Sequence, residues 1–247
     1  MISPQTTRYL RLPFDFDLAA LQQDLQRLQE PNWINHYNDS AHHKRWACLA
    51  LYALEGDGNR IAAQSEGNFL ATPALANCPY FQYVLNQFAC EKTAVRLMSL
   101  EAGGKILPHR DAGGGYEDGV ARLHIPIITD PRVLFSIDGE TVHFPAATTW
   151  YMNANCLHAV ENNSPIERIH LVIDCVPNTW LTQVFFNAGW QYNPLPKYGD
   201  VSITDENVTY VIAQLRNNPS SAALQLAEKL AKIYAGTAHM MQDSDAQ

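Results

Sequence analysis

The chain has no C-x-x-C pair, and its five cysteines (Cys48, Cys78, Cys90, Cys156 and Cys175) are odd in number. This argues against a disulfide framework and against a thiolate zinc site, and it fits reduced thiols in a cytoplasm. Long hydrophobic runs are missing too. No stretch approaches the roughly 18 apolar residues of a membrane span, and residues 1–11 lack the charged and apolar regions of a secretory signal. A cytoplasmic protein with no membrane partner is expected. Positive charge is in short supply: 17 Lys and Arg stand against 25 Asp and Glu, a formal charge of −8, with no basic block. Nucleic acid is therefore not expected as a main partner, although a local group of arginines can still dominate one pocket. Internal repeats and low-complexity tracts are absent.

What is present is an ordinary globular composition, 47% hydrophobic and 17% charged over 247 residues, enough for one large domain or a domain with an appendage. Leu18, Leu21, Leu25 and Leu28 have the spacing of one helix face, with Asp15 or Asp17 as N-cap and Pro31 as terminator. Residues 46–54 read as a strand and 78–88 as a short helix. From Thr93 onward, short strands alternate with turn residues: 95–100, 121–128, 133–137, 141–144, 149–153, 158–161 and 166–175. Seven or eight strands at this spacing predict a mainly β fold with flanking helices, its core a barrel or double-sheet jelly roll of the cupin type. Residues 1–180 then form the main domain with N-terminal helical cover. Residues 181–247 form a C-terminal helical appendage packed on it, including an amphipathic helix at 222–234 with Leu226, Leu230 and Ile233 on one face.

The chemistry concentrates in Pro108-His109-Arg110-Asp111, in His158 and in Arg168. Residues 109 and 111 lie two apart, so on an extended segment both side chains point to the same side. Two imidazoles and one carboxylate suit a non-haem Fe(II) that keeps positions open. The loop Gly113-Gly114-Gly115 that follows describes a strand end, a usual place for chemistry. Turn residues 162–165 predict a hairpin in which His158 faces Arg168, placing the arginine beside the metal. A buried arginine requires an anion, either a structural carboxylate such as Asp174 or the distal carboxylate of a bound dicarboxylate. Arg122 and His124 alternate with Leu123 and Ile125 and so share one face, expected to be the interior one.

With these residues assembled, the chain resembles the aspartyl/asparaginyl β-hydroxylase family of Fe(II)/2-oxoglutarate-dependent oxygenases from about Trp46 to Trp180. The resemblance is carried by Arg96-Leu97-Met98-Ser99-Leu100, Pro108-His109-Arg110-Asp111, Arg122-Leu123-His124-Ile125-Pro126-Ile127 and Trp150-Tyr151-Met152-Asn153, then by His158-Ala159-Val160-Glu161-Asn162 and the run from Arg168 to Asp174. It implies a double-stranded β-helix core, with His109, Asp111 and His158 as metal ligands and catalytic centre. It also implies Arg168 as the clamp for the distal carboxylate of 2-oxoglutarate, and Arg122 and His124 as further co-substrate contacts. The animal endoplasmic-reticulum members lack the carboxylate ligand that Asp111 supplies here, so the chain is closer to bacterial amino-acid hydroxylases such as proline cis-hydroxylases.

The resemblance further implies Fe(II), 2-oxoglutarate and O2 as cofactor and co-substrates, and hydroxylation of an amino acid or an amino-acyl or peptidyl substrate, with release of succinate and CO2. Arg96, Tyr116 and His36 are the candidate substrate contacts, Tyr116 at the tip of a lid over 113–119 and His36 beside Trp46 at the entrance. Two other classes stay open: a catalytically silent cupin-like binding module, and a zinc or manganese enzyme on the same barrel. The sequence leaves the oligomeric state open.

Overall fold

The computed structural model describes residues 7–28, 33–62, 64, 67–190, 198–200 and 202–244. The N-terminal half opens with strand β1 (Tyr9–Asp15) and helix α1 (Leu18–Arg27). Asp17 caps α1, its side chain accepting the amides of Ala19 and Ala20. Two short strands follow, β2 (Ile34–Asn35) and β3 (His42–His43), then the long β4 (Trp46–Leu54) and β5 (Phe69–Ala71). Helices α2 (Pro73–Ala76) and α3 (Pro79–Asn86) each begin at a proline, whose missing amide costs nothing in a first turn.

Eight strands then build the core: β6 (Lys92–Leu100), β7 (Lys105–His109), β8 (Ala121–Ile128), β9 (Val133–Ile137), β10 (Glu140–Val142), β11 (Thr148–Met152), β12 (His158–Asn162) and β13 (Arg168–Cys175). Apart from the β9–β10 hairpin, they alternate between two antiparallel sheets. One is ordered β1-β11-β8-β13-β6-β4-β2 with β5 beside β4, and the other β10-β9-β12-β7-β3. Successive strands crossing between facing sheets make a double-stranded β-helix, the mainly β architecture expected from the strand spacing.

Burial follows the two-residue period of the larger sheet. Leu97, Leu123, Ile125, Leu171 and Ile173 face outward into a core shared with Leu21 of α1, Phe81 and Leu85 of α3, and Leu181 and Phe185 of α4 (Thr179–Asn187). Each such side chain contributes about 1.5–3 kcal/mol by leaving water. The alternate residues face the space between the sheets, so β13 is buried on both sides along its whole length. One end of that space is closed by Val133, Phe135, Ile137 and Phe144, with Trp150 packed against them.

The hairpin expected to pair His158 with Arg168 does not form. β12 pairs with β7 and β9, and β13 pairs with β6 and β8. The connection between them is a crossover from one sheet to the other. Asn162 fastens it, donating to the carbonyls of Leu100, Glu101 and Ile166.

By compactness the chain divides into Met1–Tyr192 and Asn193–Gln247, so α4 belongs to the first unit, beyond the boundary expected at 180. In the second unit α5 (Val208–Arg216) and α6 (Ser221–Ser244) enclose a small core of Tyr198, Val208, Ile212, Ala227 and Leu230. Leu226, expected on the buried face of the last helix, is 42% exposed, and Ala227 takes its place. Among the described residues no helix is long and apolar enough to cross a membrane.

Candidate metal centre and its cavity

His109 ends β7 and His158 begins β12, and the ladder sets them directly opposite each other, with ring centroids 4.2 Å apart. Asp111 follows two residues after His109, where its amide donates to the carbonyl of Ala154 at 2.9 Å. His109 Nε2 lies 3.6 Å from Asp111 Oδ1, and one donor atom from each of the three residues falls within 4.8 Å of the others. Both rings are oriented by the backbone. His109 Nδ1 lies 2.8 Å from the carbonyl of Leu107, and His158 Nδ1 lies 3.0 Å from that of Cys156. A carbonyl only accepts, so each Nδ1 carries the proton and each Nε2 offers its lone pair toward the shared point. Burial lowers the His158 pKa, with the carbonyl bond opposing, so the ring is held in the neutral form a metal requires. The donor set, its spacing and its tautomers fit one divalent cation.

These three residues sit in the wall of a cavity of about 460 Å³ between the sheets. The wall across from them is the inner face of the larger sheet, where Arg96, Arg122, His124, Arg168 and Asp174 all line the space. Arg122 and His124 therefore face inward, and the aliphatics that alternate with them face the helices.

The three arginines differ sharply in what they touch. Arg122 donates through Nε to Asp174 at 2.8 Å and through Nη1 to Asp111. Burial works against its charge, but Asp174 and Asp111 more than offset this and raise its pKa. Arg96 is paired with Asp174 as well and donates to the carbonyl of Ile61 at 3.1 Å. Asp174 is thus the hub between two guanidiniums. Arg168 has neither carboxylate. It is 3% exposed, and among the described residues its Nε has no partner and Nη1 reaches only the carbonyl of Met98 at 3.2 Å. Its Cζ stands 5.4 Å from the centroid of the Phe135 ring, and burial lowers its pKa to about 10. The sequence offered Asp174 or a bound dicarboxylate as its counter-ion; Asp174 is committed elsewhere.

Beside Arg168 both ring nitrogens of His124 are buried and unpartnered, and burial, with Arg168 and Arg122 nearby, holds its pKa well below the usual range. His170, which sequence reasoning did not single out, is in the same condition and packs edge-on against His124, with ring centroids 5.8 Å apart. Its signal was available: it shares the strand parity of Arg168 in a run where every odd residue is aliphatic or cysteine.

Of the expected substrate contacts, Arg96 and His36 line the cavity, and so does Trp46. His36 stacks on Trp46 with centroids 3.5 Å apart and planes 9° from parallel. Tyr116 does not line it. Its ring packs among Tyr151, Phe185 and Trp190, and its hydroxyl bonds that of Thr182 on α4, so it fastens the 113–119 loop to the outer helices. Gly113 and Gly114 of that loop do reach the cavity.

The family model for aspartyl/asparaginyl beta-hydroxylase matches residues 15–177. The L-proline cis-4-hydroxylase of Rhizobium meliloti (strain 1021) is 26% identical over 161 residues, which cover 64% of this chain and 57% of that protein. The chain thus spans little more than half the length of that relative. Among solved structures, a 2OG-Fe(II) oxygenase family oxidoreductase from Burkholderia pseudomallei aligns at 13% identity, over 64% of this chain and 78% of that one, with a TM-score of 0.44. The non-heme alpha ketoglutarate dependent epimerase SnoN from nogalamycin biosynthesis aligns at 12% identity, over 76% and 86%, with a TM-score of 0.44.

Proposed function

The chain belongs to the aspartyl/asparaginyl β-hydroxylase family, and from that premise we propose that it is an Fe(II)- and 2-oxoglutarate-dependent oxygenase hydroxylating an amino acid or an amino-acyl or peptidyl substrate. The observation that carries this reading is the pairing of the His109, Asp111 and His158 donors with one buried arginine, Arg168, that lacks a carboxylate of its own. Iron with bound 2-oxoglutarate and O2 supplies the oxidising power, and succinate and CO2 are the by-products.

The chain's own residues divide the remaining work. His109, Asp111 and His158 hold the metal through two Nε2 atoms and a carboxylate oxygen. Arg168 holds the distal carboxylate of the co-substrate, and neutral His124 adds a hydrogen-bond donor beside it. Arg122, expected as a co-substrate contact, is taken up by Asp111 and Asp174 and acts as a positioning residue that turns Asp111 toward the metal. Phe135 and its aromatic neighbours exclude water from the Arg168 end, which strengthens the charge pair formed there. Arg96 and His36, which line the same cavity, contact the substrate.

The test is succinate release from 2-oxoglutarate by the Fe(II)-loaded protein in air, measured alone and with a panel of amino acids and short peptides. Iron-dependent release that a panel member stimulates, and that His158→Ala abolishes, is the expected outcome. Release no greater than in the metal-free control would overturn the reading.

A further inference from the structure

The wall of the cavity is rich in hydrogen-bond donors and fixed positive charge, and among the described residues it offers no free carboxylate. Trp46 Nε1 and Arg96 Nε are buried without partners, and both can only donate. His36 Nδ1 accepts the amide of Asn38 at 3.3 Å, which leaves the ring proton on Nε2, a further donor. Among the described residues the lining holds two carboxylates, Asp111 and Asp174, and both are already bonded to arginine.

The charge balance follows from the same residues. Among the described lining residues three guanidiniums, Arg96, Arg122 and Arg168, face two carboxylates, leaving one positive charge. A divalent cation raises the excess to three, and a dicarboxylate dianion brings it back to one. Burial keeps His36 and His124 out of the sum by holding them neutral. One negative charge is still required, and no described carboxylate is free to receive an ammonium group.

We infer that the substrate binds as a monoanion: a carboxylate seated near Arg96 and Trp46, with its nitrogen uncharged in an amide linkage, in place of a free zwitterionic amino acid. This deepens the oxygenase reading and rests on it, because the balance counts the metal and 2-oxoglutarate as bound. A zwitterion would bring no net charge and would set its ammonium against the guanidinium of Arg96. One uncompensated unit charge about 6 Å away, at an effective dielectric constant near 20, corresponds to discrimination on the order of 100-fold.

The experiment is binding calorimetry on the full chain, loaded with zinc(II) as a redox-silent ion and saturated with 2-oxoglutarate. Each amino acid is compared with its N-acetyl derivative, and L-proline also with cyclopentanecarboxylate, which keeps the ring and the carboxylate and lacks the ammonium. The best-bound acetylated or nitrogen-free acid should exceed its free amino acid about 100-fold in affinity. In Arg96→Met, which removes one positive charge, that ratio should fall at least tenfold. Free amino acids binding as tightly as their acetylated partners, or no member of either series binding, would overturn the inference while leaving the oxygenase reading in place. Failure of 2-oxoglutarate itself to bind the zinc-loaded protein would instead bring down the underlying reading, and the inference with it.

Discussion

Arg122 and Arg168 carry the same charge on the same interior surface, yet one is saturated by carboxylates and the other has none. A buried arginine without an anion is costly, and removing the anion it was built for is the same loss seen from the ligand's side. Arg168→Met should therefore weaken 2-oxoglutarate binding to the zinc-loaded protein by about 2–5 kcal/mol and leave zinc affinity unchanged, as read by calorimetry. Unchanged co-substrate affinity would remove Arg168 from the site. Asp174 makes a second residue-scale prediction. Burial works to raise its pKa, but Arg122 and Arg96 prevail and hold it below the usual carboxylate range. A carboxyl with a depressed folded-state pKa stabilises the protein above its unfolded value of about 3.9, and that contribution is lost as pH falls through the lower folded value. Asp174→Asn should cost about 3–5 kcal/mol at neutral pH and flatten the acid limb of the stability profile, measured by urea titration at a series of pH values. An acid limb as steep as the parent's would contradict this role.

At the scale of elements, the glycines after Asp111 show how the metal loop is held. A Cβ at Gly114 would meet the carbonyl oxygen of Asp111 at 2.9 Å and Cβ of Ala154 at 3.0 Å. Both contacts are on the strap that aims Asp111, so Gly114→Ala should displace the carboxylate and weaken zinc binding by about 10–100-fold with the ligand set intact. A zinc affinity equal to the parent's would show that the close approach is not needed.

Much of this level was legible in the sequence. Trp46–Leu54, Ala121–Ile128 and Val133–Ile137 have the bounds expected from their runs, because short apolar runs bounded by turn residues are a strong strand signal. What escaped has identifiable causes. β1 contains Pro13, which weakens a strand signal, and the structure tolerates it at a register shift on a sheet edge. The 158–168 hairpin failed because residues such as Asn162 and Ser164 serve a crossover between facing sheets as well as a tight turn. The same holds for Asp174. Strand parity put it on the interior surface, but which of three arginines it meets depends on the order β8-β13-β6, and turn chemistry does not encode that order. Tyr116 looked like a lid residue because its loop is glycine-rich, whereas its ring belongs to a cluster completed by Phe185 and Trp190 far along the chain.

For the molecule as a whole, every described cavity-lining residue lies between His36 and Asp174, inside the first compact unit and wholly inside the segment matched by the family. The small core of the second unit contributes none of them. The most direct test of the site is therefore spectroscopic and is made on the whole chain before any turnover. Fe(II) and then 2-oxoglutarate are added without oxygen, and the visible metal-to-ligand charge-transfer band of the chelate is followed. The oxygenase reading predicts a saturable band that is absent in His109→Ala and that needs a higher 2-oxoglutarate concentration in Arg168→Met. No band in a protein that binds metal tightly would contradict it and would point to a zinc enzyme or a binding module on the same barrel.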